Sequence, residues 1–542
     1  MANIGSYDYI VVGAGSAGCV MANRLSASGK HNVLVLEAGK RSNFWTQFPI
    51  SFALLLDDPV ANWRFRSEPE AGTANRAIPV PRGKVVGGSS AINGLVYVRG
   101  QPLDYDTWAQ QGNRGWNFDT VKGYFRKLED FEGGDDGIRG AGGPIHVSEC
   151  KDESPLYDAW IAAGAEIGLP HNPDYNGVSQ EGICKTQTTI RNGKRASAAA
   201  GYLNPALKRP NLRLEVEVLV ERVLLEGKRA VGVEYSANGQ RMRALAGREV
   251  ILCAGSIKSP QLLELSGIGQ AARLRELGIG VNHDLWGVGE SLRDHIAPRM
   301  KWRVTQQNVT YNGKVNGLGL GWQMLRYAFN RRGFLGMPSA PMLAFMRSRE
   351  DMESPDIQLH LVPFRYDNPN KRRLGPEPGM IATVYQCRPD SMGHIHAKSA
   401  DPNDDPAITF NFLDAETDQR VLLDGVQRTR DLMNAAAMDA YRGVEEAPGE
   451  EIQGDGAMLE WIRRTAETTY HPTGTCRMGT PDRNVVDERL RVHGIAGLRV
   501  ADASIMPTLV SGNTNAACLM IGEKAADMVL EDAARGEAGQ TL

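Results

Sequence analysis

The first forty residues set a glycine-rich turn between two buried strands, and few folds accommodate that order. Tyr7 to Val12 (YDYIVV) is β-branched and aromatic, as a buried strand requires. Gly13-Ala14-Gly15-Ser16-Ala17-Gly18 follows without a gap, and Cys19 to Leu25 then reads as a helix. Asn32 to Leu36 (NVLVL) is a second buried strand that ends at Glu37, 19 residues past Gly18. Each part has a physical task. Gly13 permits the tight turn, Gly15 lets the backbone approach a pyrophosphate, and Gly18 lets helix and strand pack closely. The helix start at Ser16 and Ala17 presents free N–H groups to phosphates. Glu37, with Ala38 beside it, can accept hydrogen bonds from a ribose diol. The pattern predicts dinucleotide binding, with a purely structural turn as the alternative. It does not separate NAD from FAD.

At 542 residues the chain is too long for one compact core, and two interleaved domains are expected. Hydrophobic residues at 42% and charged residues at 23% fit an ordinary globular enzyme. The formal charge of -3 gives no strong pull toward nucleic acid or an anionic membrane. No 18-residue apolar span for a membrane helix occurs. The seven cysteines are odd in number and form no CxxC pair, so neither a disulfide framework nor structural zinc is expected. With no secretory signal at the N-terminus, a reducing, cytoplasmic setting is the simplest expectation.

Three further segments carry a family likeness. The first is GKVVGGSSAINGLVYVRG, Gly83 to Gly100. The second is GSIKSPQLLELSGIG, Gly255 to Gly269. The third is the C-terminal pair HPTGTCRMG (His471 to Gly479) and ADASIMPTLVSGNTNAACLMIGEKAADM (Ala501 to Met528). With the N-terminal cradle, these resemble the glucose–methanol–choline (GMC) oxidoreductases, in the family's order and over nearly the whole chain. The resemblance implies an α/β, Rossmann-type FAD domain drawn from 1–155, 196–300 and 460–542. It implies an α+β substrate domain on a mostly antiparallel sheet, from 156–195 and 301–459. The residues agree with that plan: Leu212 to Tyr235 reads as strands with a turn near Gly227, and Val250 to Gly255 and Leu498 to Asp502 read as strands running to the cofactor.

Carried over by the resemblance, the FAD contacts beyond the cradle are Gly88, Asn93, Gly94 and Val96 in the loop passing the flavin. Val220 meets the adenine, and Ala254 lies near the adenosine. Asp502 and Ala503 approach the pyrophosphate or ribityl chain, and Tyr470 and Thr514 border the isoalloxazine. Trp63 matches a family aromatic near the cofactor, with core packing as its alternative. Some relatives attach FAD through a histidine in the GGSS loop. Ile92 holds that place here, so noncovalent FAD is expected.

Alcohol oxidation removes a proton from oxygen and a hydride from carbon. The resemblance makes His471 the base and Asn513 the partner that holds the oxygen, a task suited to an imidazole near working pH. His394 and His396 would share one face of a strand without a third ligand, so no metal is expected. Asp294 and His295 are read as architectural. A lyase with non-redox FAD is the rival from another class.

For the substrate, relatives that oxidise choline place a glutamate in the stretch that here reads Met337 to Phe345, and Pro341 stands in its place. A neutral primary alcohol, aromatic or medium-chain, is therefore expected, with a choline-type amino alcohol as the alternative. Leu95 and Thr469 are expected to face the substrate, and Met342 to line an adaptable pocket, with core filling as its alternative. Arg365 could hold a polar tail. Oxygen and a quinone or electron-transfer partner are both open as electron acceptors.

Overall fold

The computed structural model describes residues 2–368 and 373–540. The N-terminal strand Ala2–Val12 sits centrally in a seven-stranded sheet, parallel to Val33–Glu37 on one side and to Gln240–Leu252 on the other. Leu212–Val216 extends the parallel part beyond Val33–Glu37. The far edge of Gln240–Leu252 is shared. Its end pairs in parallel with Leu498–Val500, and its start pairs antiparallel with Arg229–Ala237, which pairs in turn with Val218–Glu226. Val33–Glu37 is buried at every position, as a strand covered on both faces must be.

Distant segments close over this sheet. The C-terminal helix Asn515–Gln540 packs on the first helix, Ser16–Ser26. Arg24 pairs with Glu523 and with Asp527 (2.5 Å), and the Ser16 hydroxyl donates to Asn515 Oδ1 at 2.8 Å. The chain therefore returns its last helix to its first turn.

The second sheet has six strands, all antiparallel: Arg442–Ala447, Arg299–Val304, Gly379–Gln386, Ile357–Val362, Met342–Met346 and Gly182–Lys185. Period-2 alternation decides what each face does. Met300, Met342, Ala344, Met346, Leu361 and Ala382 pack into the core cluster that also holds Trp160, Leu422 and Val426 from the helices Pro155–Glu166 and Glu416–Asn434. The opposite face carries the register row Leu343, His360, Thr383 and Arg299, and beside it Val362, Ile381 and Lys301. Most of that face looks into the cavity described next.

Candidate active site

A cavity of about 720 Å³ runs between the two sheets, within the usual size of a cofactor or ligand site. The glycine turn forms one part of its wall. Gly13 has φ +97°, and a Cβ there would meet the Cys253 carbonyl oxygen at 2.6 Å. A Cβ on Gly18 would meet the Gly13 oxygen at 2.0 Å, so this glycine serves helix–strand packing. Gly88 closes over the turn: its Cβ would lie 2.7 Å from the Gly15 Cα. The helix at Ser16 starts from Gly15 with no side-chain cap, so its first N–H groups are left for a ligand at the cavity wall.

Glu37 is 6% exposed and lines the same cavity. Its carboxylate accepts from Ala14 N (2.8 Å) and Gly39 N (2.7 Å), which fixes its orientation. Burial pushes its pKa up against those donors. Each oxygen keeps acceptor capacity for a ribose diol. Ala38, Trp63, Asn93, Gly94, Leu95, Val96, Val220, Ala254, Ala503, Tyr470 and Thr514 all line the cavity, where the sequence expects them. Trp63 stacks on Phe65, with Lys84 and Lys258 over its ring. Asp502 lines the cavity as well. It accepts from Gly255 N and the Ser259 hydroxyl on one oxygen and from Ser504 N and its hydroxyl on the other, so it clamps the start of the helix Gly255–Leu265.

His471 lies just past the short strand Glu467–Thr468 and Asn513 just before the helix Asn515–Gln540, and their side chains meet. His471 Nε2 lies 3.1 Å from Asn513 Nδ2, and both residues line the cavity. Gln358 donates to Asn513 Oδ1 at 3.3 Å, so the amide nitrogen is the group that faces the imidazole. On the other edge of the ring, His471 Nδ1 lies 3.0 Å from His295 Nδ1 and 2.9 Å from the Thr469 hydroxyl. His295 Nε2 is 2.8 Å from the Cys387 carbonyl, which can only accept. Burial lowers the His295 pKa to about 4, so the ring is neutral and its one proton sits on Nε2. His295 Nδ1 is then an acceptor, and His471 Nδ1–H donates to it. The lone pair of His471 is left on Nε2, facing Asn513.

Burial, with His295, His360 and Arg82 nearby, holds the His471 pKa well below the usual 6.5. Asp294 accepts from the backbone N–H of both His471 and His295, each at 2.8 Å, and from the Thr468 hydroxyl. Burial raises its own pKa to about 7. Asp294 anchors the backbone of His471, and His295 sets its tautomer. His360, which sequence reasoning passes over, lines the cavity and accepts from Gln358 (3.0 Å) and the Tyr385 hydroxyl (3.2 Å). Its only sequence signal is its place in an alternating strand, Ile357–Val362.

Two substrate expectations are corrected. Met342 is fully buried on the helix-covered face of the second sheet, because it shares a register row with Leu361, whereas Leu343 pairs with His360. It fills the core. Arg365 lies past the end of its strand and outside the cavity wall, where its guanidinium pairs with Glu377 (3.0 Å) and Glu446 (3.2 Å). Pro341 is also outside the wall, with its carbonyl bonded to Thr186 N. His396 is held between Glu264 (2.7 Å) and Glu290 (3.2 Å), and no cluster suited to a metal ion exists among the described residues.

Residues 7–297 match the N-terminal part of the GMC oxidoreductases, and residues 389–522 match the C-terminal part. An oxygen-dependent choline dehydrogenase of Photobacterium profundum is 42% identical over 97% of this chain and 93% of its own length. Among solved structures, pyridoxine 4-oxidase from Mesorbium loti superposes with a TM-score of 0.86 at 30% identity, covering 96% of this chain and 98% of that one. A formate oxidase of Aspergillus oryzae, studied for modification of its FAD, superposes with a TM-score of 0.90 at 26% identity, covering 98% of this chain and 99% of that one.

Proposed function

This chain belongs to the GMC oxidoreductase family, which makes it an FAD-binding alcohol oxidoreductase, and we propose that His471 is the base that takes the hydroxyl proton. The observation that carries the proposal is the neutral Nε2 of His471 set 3.1 Å from an amide donor in the wall of the cofactor cavity. Glu37 would hold the adenosine ribose of FAD, the Gly13–Gly18 turn and the first helix would hold its pyrophosphate, and the loop from Gly88 to Val96 would pass its ring system. FAD, when bound, supplies the hydride acceptor. The hydroxyl donates to His471 Nε2 and accepts from Asn513 Nδ2, so the pair fixes the oxygen while the proton leaves it. Thr469 and His295 keep the opposite nitrogen of the base protonated throughout. The FAD-side segments are 1–155, 196–300 and 460–542, and the substrate side is 156–195 with 301–459.

For the substrate we propose a primary alcohol without charge, aromatic or medium-chain. The substrate-side wall holds Leu95, Val362, Phe364 and Ile381 with Tyr366 and Trp461, and among the described residues its one carboxylate, Glu467, is tied to Arg299 at 2.5 Å. A quaternary ammonium calls for a free carboxylate or an aromatic cage. A choline-type amino alcohol is the second reading, and the comparisons favour it, because the choline dehydrogenase matches along nearly the whole chain. Benzyl alcohol, hexanol and choline tested side by side decide between them: choline turnover well above the other two selects the second. The same panel run without oxygen, read by bleaching of the flavin, separates redox chemistry from a lyase. Added oxygen or a quinone then identifies the acceptor. The seven free cysteines, six of them buried, support a reducing, cytoplasmic setting.

A further inference from the structure

The helix Leu318–Asn330 is inside out. Its buried positions are the polar Gln323 and Tyr327, which accept from Phe334 N (3.2 Å) and donate to the Gly193 carbonyl (2.7 Å). The opposite side is apolar and faces solvent. Leu318 is 96% exposed, Trp322 65%, Leu325 52% and Phe329 87%. Their spacing of four, three and four residues stacks them in one stripe, since side chains at i, i+4 and i+7 share a helix face. A second segment widens this surface. Phe48 touches the Tyr327 ring at 5.7 Å, and beside it Phe44 and Trp45 are 65% and 48% exposed.

A stripe of this kind does not belong against water. Its charge setting says what covers it. No aspartate or glutamate occurs between Val304 and Glu350, while Lys314, Arg326, Arg331 and Arg332 do. The last three are exposed around the stripe, and Lys194 is exposed next to Gly193, the residue that packs against Arg331. The whole-chain charge of -3 hides this local excess. Tryptophan, phenylalanine and leucine ringed by basic side chains is the composition of a helix lying in the plane of a bilayer interface. We propose that this face docks the enzyme on an anionic lipid surface.

The geometry gives docking a consequence. Phe334, just after the helix, touches the ring of Phe364, which lines the cavity, and Phe52 and Leu56 of the second segment line it too. Docking sets this side of the cavity wall against lipid. No helix among the described residues is long and apolar enough to cross a membrane, so the attachment is peripheral.

The test is flotation of the FAD-loaded enzyme with vesicles of roughly one part phosphatidylglycerol to three of phosphatidylcholine. Wild type is expected to float, and to float less on phosphatidylcholine alone or in high salt. Trp322→Ser/Phe329→Ser should lose about tenfold or more in partitioning, and Arg331→Glu/Arg332→Glu should lose the anionic preference. Both keep wild-type flavin content and alcohol turnover in solution. Wild type that stays at the bottom of the gradient, or a Trp322→Ser/Phe329→Ser variant that floats equally well, overturns the proposal. So does a wild-type dimer that does not float and that the same double variant turns into a monomer, since the face would then cover a second copy.

Discussion

The Nδ1 atoms of His471 and His295 lie 3.0 Å apart, and because His295 spends its single proton on the Cys387 carbonyl, His471 must be the donor between them. The imidazole of His471, the base we propose, is thereby held in the one tautomer that leaves Nε2 open to an alcohol. Removing His295 frees the imidazole to take the other. His295→Ala should lower kcat by roughly 10- to 100-fold, with flavin content and alcohol KM little changed. Unchanged kcat would leave His295 with a packing role alone.

His471→Ala removes the proton acceptor but touches no part of the glycine cradle. Anaerobic reduction of the flavin by alcohol should slow by roughly 10²- to 10⁴-fold, and Asn513→Ala by a smaller factor. The purified proteins should remain yellow. A His471→Ala enzyme that reduces its flavin at the wild-type rate removes the residue from the base role.

The pH dependence follows from burial. His471 as the proposed base works when neutral, and its pKa is lowered well below 6.5, so kcat/KM should be flat from pH 6.5 through neutrality and fall only in acid. Stability has the same sign. His295 is depressed from 6.5 to about 4, so between those values the unfolded chain binds a proton that the native state does not. The contribution is present above pH 6.5 and is lost as pH falls toward 4, roughly 3 kcal/mol in full. Urea unfolding at about pH 7 and about pH 5 should show the loss; equal midpoints would count against a buried neutral His295.

Ile92 is buried in the cavity wall at the place where a linking histidine would stand. Acid precipitation should therefore leave the flavin in the supernatant. A yellow pellet would show a covalent bond made elsewhere.

Gly13→Ala should purify without flavin, because its Cβ would sit 2.6 Å from the Cys253 carbonyl at φ +97°. Gly29→Ala is the control. It has φ +73° but nothing within 4 Å, so it costs roughly 1–2 kcal/mol of backbone strain and should keep its colour. Equal flavin content in the two variants would show that the close approach at Gly13 is dispensable.

The cradle was legible because it is local. Gly13, Gly15 and Gly18 and the acid at Glu37 act within one strand–turn–helix–strand unit, and the observed strands Ala2–Val12 and Val33–Glu37 fall where the apolar runs do. The expected pair His471 and Asn513 also meets as anticipated, since both sit in long contiguous motifs. The substrate wall was not legible. Met342 and Leu343 are neighbours in sequence and equally apolar, yet they face opposite sides of one strand. Arg365 stood out as a lone cation, but its partners Glu377 and Glu446 come from other strands and loops.

The sequence by itself determined that this chain cradles a dinucleotide and belongs among the FAD-dependent alcohol oxidoreductases, and it pointed to the histidine and asparagine we propose for the chemistry, because those features depend on residue type and short spacing. Tertiary structure alone decided the state of that histidine, the lining of the pocket and the outward turn of Leu318–Asn330. His295 reaches His471 across 176 residues of chain. A strand's inner face follows from its register with its neighbours, where a slip of one residue exchanges the two sides. A helix's apolar stripe meets core or solvent according to what packs beneath it. None of these is written in any single segment.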